Sequence, residues 1–114
     1  MKLNRKLVPL EKVLNKFFGE PYNTDEYYFY SSFERKHINF RVSLFLYMEC
    51  YPYRISLHLT KEDKTLFYAD DQEFLNIESS DNKLILFLNN AEQFILSVED
   101  WGFSINIDST EKIR

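Results

Sequence analysis

The sequence predicts an α+β protein, mostly β. An N-terminal helix packs on a curved antiparallel meander of about seven to eight strands, a half-barrel or a two-sheet sandwich. Three observations predict it. An apolar stripe with helical spacing lies near the N-terminus. From residue 36 onward, apolar residues recur at every second position, the period of a half-buried strand. Turn residues interrupt that alternation about every 8 to 12 positions, as a meander requires.

The helix is expected at about 9–18. Leu10, Val13, Leu14 and Phe17 form one stripe that needs a flat surface to cover. Pro9 suits a first helical position, Gly19 a C-terminal stop, and Pro21 follows just beyond.

Strands are expected at about 26–33, 37–50, 53–60, 65–69, 73–78, 83–89, 93–98 and 101–108. The sheet thus covers about 26–108 of one domain spanning 1–114, with 109–114 as a frayed tail. The longest run alternates Ile38, Phe40, Val42, Leu44, Leu46 and Met48 with Asn39, Arg41, Ser43, Phe45, Tyr47 and Glu49. Pairing Glu49 with Arg54 around Cys50-Tyr51-Pro52-Tyr53 sets Met48 against Ile55, Leu46 against Leu57 and Phe45 against His58. Pairing Glu78 with Lys83 sets Ile77 against Leu84 and Leu75 against Leu86. Pairing Val98 with Trp101 sets Leu96 against Phe103 and Phe94 against Ile105. A one-residue slip in any of them would turn one strand's apolar set outward.

At 114 residues, 45% hydrophobic and 28% charged, the chain can bury a core and is too apolar for disorder. No apolar run reaches the roughly 18 residues of a membrane span. The first residues lack the apolar stretch and cleavage site of a secretory leader. The single cysteine, Cys50, precludes an internal disulfide and fits a reducing cytoplasm, the expected location. Fourteen Lys and Arg stand against 18 Asp and Glu, a net charge of −4. That balance argues against duplex nucleic acid and for a protein partner with a basic surface. Abundant Asn, Lys, Ile, Tyr and Phe fit the AT-rich coding of a low-GC bacterium or its phage.

Catalysis finds little support, and no cofactor or metal is expected. Gly19 and Gly102 are the only glycines and cannot form a phosphate-cradling loop. His37 and His58 lack partners at metal-ligand spacing. His58 has no nucleophile to serve as a general base. Cys50 sits beside Glu49, which disfavours its thiolate. Asp70 and Asp71 are expected as solvated loop acids, available as acidic contacts for a partner, not as part of a calcium shell of six to eight oxygens.

The 20 aromatic residues carry the remaining signal, ten of them between Tyr27 and Tyr53. By parity and neighbours, Phe40, Phe94, Trp101 and Phe103 are expected in the core, while the consecutive rings Tyr27 to Tyr30 face both ways. Phe45 and Tyr47 fall on the polar side of their strand, among Arg41, Glu49, Arg54 and His58. Rings mixed with arginine and a charged rim are the composition of protein-interface hot spots. Either the helix or strand 26–33 covers this face, or a partner does. Arg41, Phe45, Tyr47, Glu49, Arg54 and His58 are therefore the candidate partner-binding residues.

The expected function is a small acidic protein-binding module, not an enzyme. Its type is that of an inhibitor or immunity protein that neutralises a basic partner such as a bacterial toxin. Two alternatives stand beside it. One is a single-stranded nucleic-acid or small-ligand binder on a curved sheet, for which Arg35, Lys36, Arg41 and Arg54 supply some positive charge. The other is an enzyme whose site is assembled from distant residues.

Overall fold

The computed structural model describes residues 8–21, 23–25 and 30–109. One helix, α1 (Pro9–Phe18), precedes eight strands: β1 (Asn23–Asp25), β2 (Tyr30–His37), β3 (Phe40–Tyr47), β4 (Arg54–Lys61), β5 (Lys64–Ser79), β6 (Lys83–Leu88), β7 (Glu92–Glu99) and β8 (Gly102–Ser109). The strands pair antiparallel in sequence order, with β1 and β8 at the two ends, so the sheet is open.

The helix occupies the expected residues, and its stripe enters the core. Leu14, Phe17 and Phe18 are buried, and Leu10 and Val13 pack against them from the margin. Proline costs nothing in the first turn, where its missing N–H has no helical partner. The Val8 N–H donates to the Glu11 carboxylate at 3.0 Å. At the other end Gly19, with φ 84°, donates to the Asn15 carbonyl at 2.8 Å. Each buried Leu or Phe contributes about 1.5–3 kcal/mol, so packing rather than intrinsic propensity holds so short a helix.

The curl of the sheet originates in β5. This strand is 16 residues long and serves both halves of the sheet: its first part pairs with β4 and its second with β6. Glu73 and Phe74 mark the transfer. The Phe74 N–H donates to the Tyr53 carbonyl before β4, and the Glu73 carbonyl accepts from the Asn89 N–H after β6. The register slips by one residue at three places. Leu59↔Phe67 and Thr60↔Thr65 pass over Leu66; Ile55↔Gln72 and Leu57↔Ala69 leave Ser56 facing both Asp70 and Asp71; Phe74↔Leu88 and Asn76↔Phe87 pass over Leu75. Each bulge bends the strand and increases its twist. The inner sides of the two halves therefore share one core, from Phe33, Val42, Leu44 and Leu57 to Leu84, Leu86, Leu96 and Phe103, with the α1 side chains among them.

Polar ties hold the helix and the two halves together. Arg35 of β2 donates to the Phe17 carbonyl at the end of α1 (2.8 Å) and to the Asp81 carbonyl in the β5–β6 turn (2.6 Å), and lies 4.8 Å from the centre of the Phe17 ring. Ser79 Oγ donates to the Val13 carbonyl. His37 Nε2 donates to the Glu99 carbonyl at 2.8 Å, and its ring packs edge-on against Phe103.

The predicted faces largely hold, while the predicted registers shift by two residues. Leu46 faces Ile55 and Leu44 faces Leu57, so the β3–β4 loop spans 48–53. Phe45 consequently faces Ser56, and Ser43 faces His58. Ile77 faces Leu86, and Leu96 faces Ile105. A two-residue shift keeps every side chain on its own face, so apolar alternation alone does not distinguish the two registers. The predicted strands 65–69 and 73–78 are the single strand β5. Leu75, expected inside, is the bulged residue and is exposed. Strand 37–50 is shorter than predicted because the chain turns at Ile38-Asn39. Ile38, expected in the core, stands at φ 58° and is 63% exposed. Trp101 is 55% exposed at the β7–β8 turn, not in the core. Residues 26–29 of the first predicted strand and 110–114 of the predicted tail lie outside the described residues, whereas Ser109 ends β8.

Gly102 sets a steric condition on the packing of this end. Its φ is 149°, and a Cβ there would lie 2.1 Å from Cδ1 of Phe40. The Phe40 ring is itself held between Trp101 (5.6 Å between centroids) and the Lys61 ammonium (5.4 Å). Gly102→Ala is therefore expected to destabilise the fold by roughly 2–4 kcal/mol through overpacking and backbone strain. In urea unfolding this appears as a lower midpoint at unchanged slope; a shift worth under about 0.5 kcal/mol would show that the Phe40 ring yields freely.

Candidate functional site

Because α1 and the core occupy the inner side, the outer side of β2–β5 is where the remaining outward side chains gather. Cross-strand pairing arranges them in four rows. The first runs Tyr30, Tyr47, Arg54, Glu73; the second Ser32, Phe45, Ser56 and then the Asp70-Asp71 bulge; the third Glu34, Ser43, His58, Tyr68; the fourth Lys36, Arg41, Thr60, Thr65.

Rings dominate one side of this face. Tyr30 stacks on Phe45 with centroids 6.3 Å apart and planes 13° from parallel, and leans on Tyr47 at 5.2 Å. Such contacts hold aromatic side chains in place at little further entropic cost. Phe45 is half-buried in the stack and Tyr47 is 38% exposed. The buried side chains of α1 lie in the core, on the other side of the sheet from these rings. The Tyr30 phenol is raised above its ordinary pKa, through desolvation first and then through Tyr47.

Carboxylates and one guanidinium form the neighbouring corner. Arg54 reaches Asp71 Oδ1 at 2.9 Å and Glu73 Oε2 at 3.1 Å. Asn89 donates to the other Glu73 oxygen at 2.9 Å. Ser56, only 2% exposed, donates from Oγ to Asp70 Oδ1 at 2.6 Å and accepts the Asp71 N–H at 3.1 Å. Asp71 adopts φ 54°, which Asp tolerates better than most residues. Two carboxylates thus hold one guanidinium, and a third, that of Asp70, is held beside them by Ser56. Pairs this exposed contribute at most about 1 kcal/mol each to stability. Their larger effect is to hold Arg54 and leave the corner acidic.

The sequence-predicted candidates divide accordingly. Phe45, Tyr47 and Arg54 come together with Asp70 and Asp71, which belong to a strand bulge and not to a loop. Glu49 sits beyond the end of β3 and, with Tyr47, Cys50, Tyr51, Pro52, Arg54 and Glu73, lines an open groove of about 350 Å³. Arg41 lies at the far end of the face, paired with Glu34 at 2.7 Å. His58 is engaged with Thr65 Oγ1 at 3.0 Å and packs edge-on against Tyr68. Tyr30 and Tyr68 belong to the face and escaped the sequence reading, and Glu73, expected like Asp70 and Asp71 in a loop, stands in β5 opposite Arg54. Parity could have found Tyr30 only once its place in the run of four rings was known.

Among the described residues, no group of three His, Cys, Asp or Glu side chains is arranged to hold a metal ion. No helix among them is long and apolar enough to cross a membrane. Comparison with family models, with curated proteins and with solved structures finds no match.

Ser56 supports the corner from beneath. Ser56→Ala removes both the hydrogen bond to Asp70 and the acceptor for the Asp71 N–H, and is expected to cost about 1–2 kcal/mol. Amide exchange is expected to quicken at Asp71 while α1 stays protected; unchanged exchange at Asp71 would contradict the role given to Ser56.

Proposed function

We propose that this chain is a protein-binding module that recognises a basic partner through the outer side of β2–β5. It would act as an inhibitor or immunity-type protein by occupying the partner's surface, without chemistry of its own. The observation that carries this reading is the packed, partly exposed set Tyr30, Phe45 and Tyr47 beside the acidic corner of Asp70, Asp71 and Glu73. Rings fixed in place before binding lose little entropy on contact, which is why Tyr and Trp recur among interface hot spots.

The groove beside Tyr47 gives the contact its chemistry. Glu49 and Glu73 outnumber Arg54 along its walls, and Tyr47 and Tyr51 supply aromatic faces. A lysine or arginine side chain of the partner meets there both a carboxylate and a ring. The net charge of −4 steers such a partner toward the chain. In the cytoplasm Cys50, exposed in the same groove wall, stays reduced.

The test is calorimetric titration of the purified chain against the products of genes flanking its own. One of them is expected to bind, with an affinity that falls as salt rises. The double variant Phe45→Ala/Tyr47→Ala is expected to weaken binding at least about thirtyfold, the loss of one hot spot. Binding that survives the double variant, or tight binding of a single-stranded oligonucleotide in place of a protein, would overturn the proposal.

A further inference from the structure

Among the described residues, β8 is an edge strand that pairs with β7 on one side. At the opposite margin the three-residue β1 pairs only with Tyr30, Ser31 and Ser32, and the rest of β2 there carries Glu34, Arg35 and Lys36, whereas β8 runs for eight residues. Its register with β7 continues without a slip from Glu92↔Ser109 to Glu99↔Gly102, so it has none of the bulges that bend β5. Natural edge strands are blunted by brevity, proline, lysine or a bulge. Between Gly102 and Ser109 there is no proline, lysine or arginine, and Asp108 is the one charged residue. Among the described residues no strand lies on its outer side. Phe103 is buried at the start of β8, but Ile107, on the same side of the strand, is 53% exposed.

We propose that β8 pairs with β8 of a second copy of this chain, antiparallel about a two-fold axis through Asn106. A continuous sheet keeps inner faces on one side, so the axis passes through a residue and not between two. Centring on Asn106 sets Ile105 against Ile107 of the second copy and covers the exposed isoleucine with an apolar neighbour. It also sets Asp108 against Ser104 of the second copy. Centring on Asp108 instead opposes two carboxylates, which cross-strand pairs disfavour. The outward N–H and C=O groups of β8 then find partners in the ladder. One strand edge is a small contact beside the roughly 1,200–2,000 Å² of a stable complex, so the pairing depends on concentration and leaves the outer side of β2–β5 open. It rests on observations separate from those behind the proposed function.

The test is sedimentation equilibrium of the full chain over a concentration series. A monomer–dimer equilibrium is expected. Asn106→Lys, at an exposed position, brings two ammonium groups together on the axis and is expected to weaken dimerisation about tenfold or more. Asn106→Ser is expected to leave it unchanged within about twofold. A chain that stays monomeric throughout, a dimer indifferent to Asn106→Lys, or a dimer abolished by Phe45→Ala/Tyr47→Ala would each overturn the inference.

Discussion

Opposite Ser56, β5 carries one residue more than β4 can pair with, and Asp71 takes up the surplus by turning left-handed. Much of the molecule depends on that accommodation. The bulge reverses which side chains of β5 face inward, and with its companions at Leu66 and Leu75 it bends the strand enough to leave β4 and join β6. A straight 16-residue strand would carry the sheet on past the helix. A bent one folds the second half toward the first, so that Phe33 and Phe103, from strands near opposite ends of the sheet, meet the Phe17–Phe18 pair of α1 in one core. The bulged leucines also explain two apolar exposures that would otherwise look like errors of packing: Leu66 and Leu75 are the residues without a cross-strand partner.

The same accommodation builds the candidate site. Since the helix is committed to the inside of the curl, it leaves the rings on the outer side of β2–β5, where Tyr47 is partly exposed. The bulge delivers Asp70 and Asp71 together to Ser56, and Asp71 to Arg54. Aromatic stacking and acidic charge thus become neighbours through a backbone irregularity and not through adjacency in sequence. At the distant end the charge changes character: Lys36 directly faces Arg41, and Glu34 is paired with that arginine. The face is polar along its length, with its acidic end beside the rings, and this is why orientation as well as affinity follows from charge.

How much of this was legible in the sequence depends on which physical signal was at stake. The helix was legible to its end residues because Pro9, Gly19 and an apolar stripe agree there. The inward set of β3 and β4 was legible because alternation reports face directly. Register was not, since apolar contacts are equally satisfied after a two-residue shift and only the connections separate the options: β3 and β4 join through the loop 48–53, and β7 and β8 through the tight turn Asp100-Trp101. Asp70-Asp71 read as a loop because two consecutive acids have turn chemistry, and one of them does adopt a turn conformation. A buried serine on the neighbouring strand keeps them in the ladder, and no local pattern announces that. Phe45 and Tyr47 were legible as outward by parity. Tyr68 was not, because its face depends on the number of bulges before it.

The central claim is that Phe45 and Tyr47 face solvent in the free chain and are held there for a partner. Hydroxyl-radical footprinting of the free protein, read residue by residue, tests it most directly. Tyr47 and Tyr68 are predicted to be oxidised readily and Phe45 at an intermediate rate, while Phe33 and Phe103 stay protected. Protection of Tyr47 equal to that of Phe33 would mean that the chain covers this face itself, and would contradict the account.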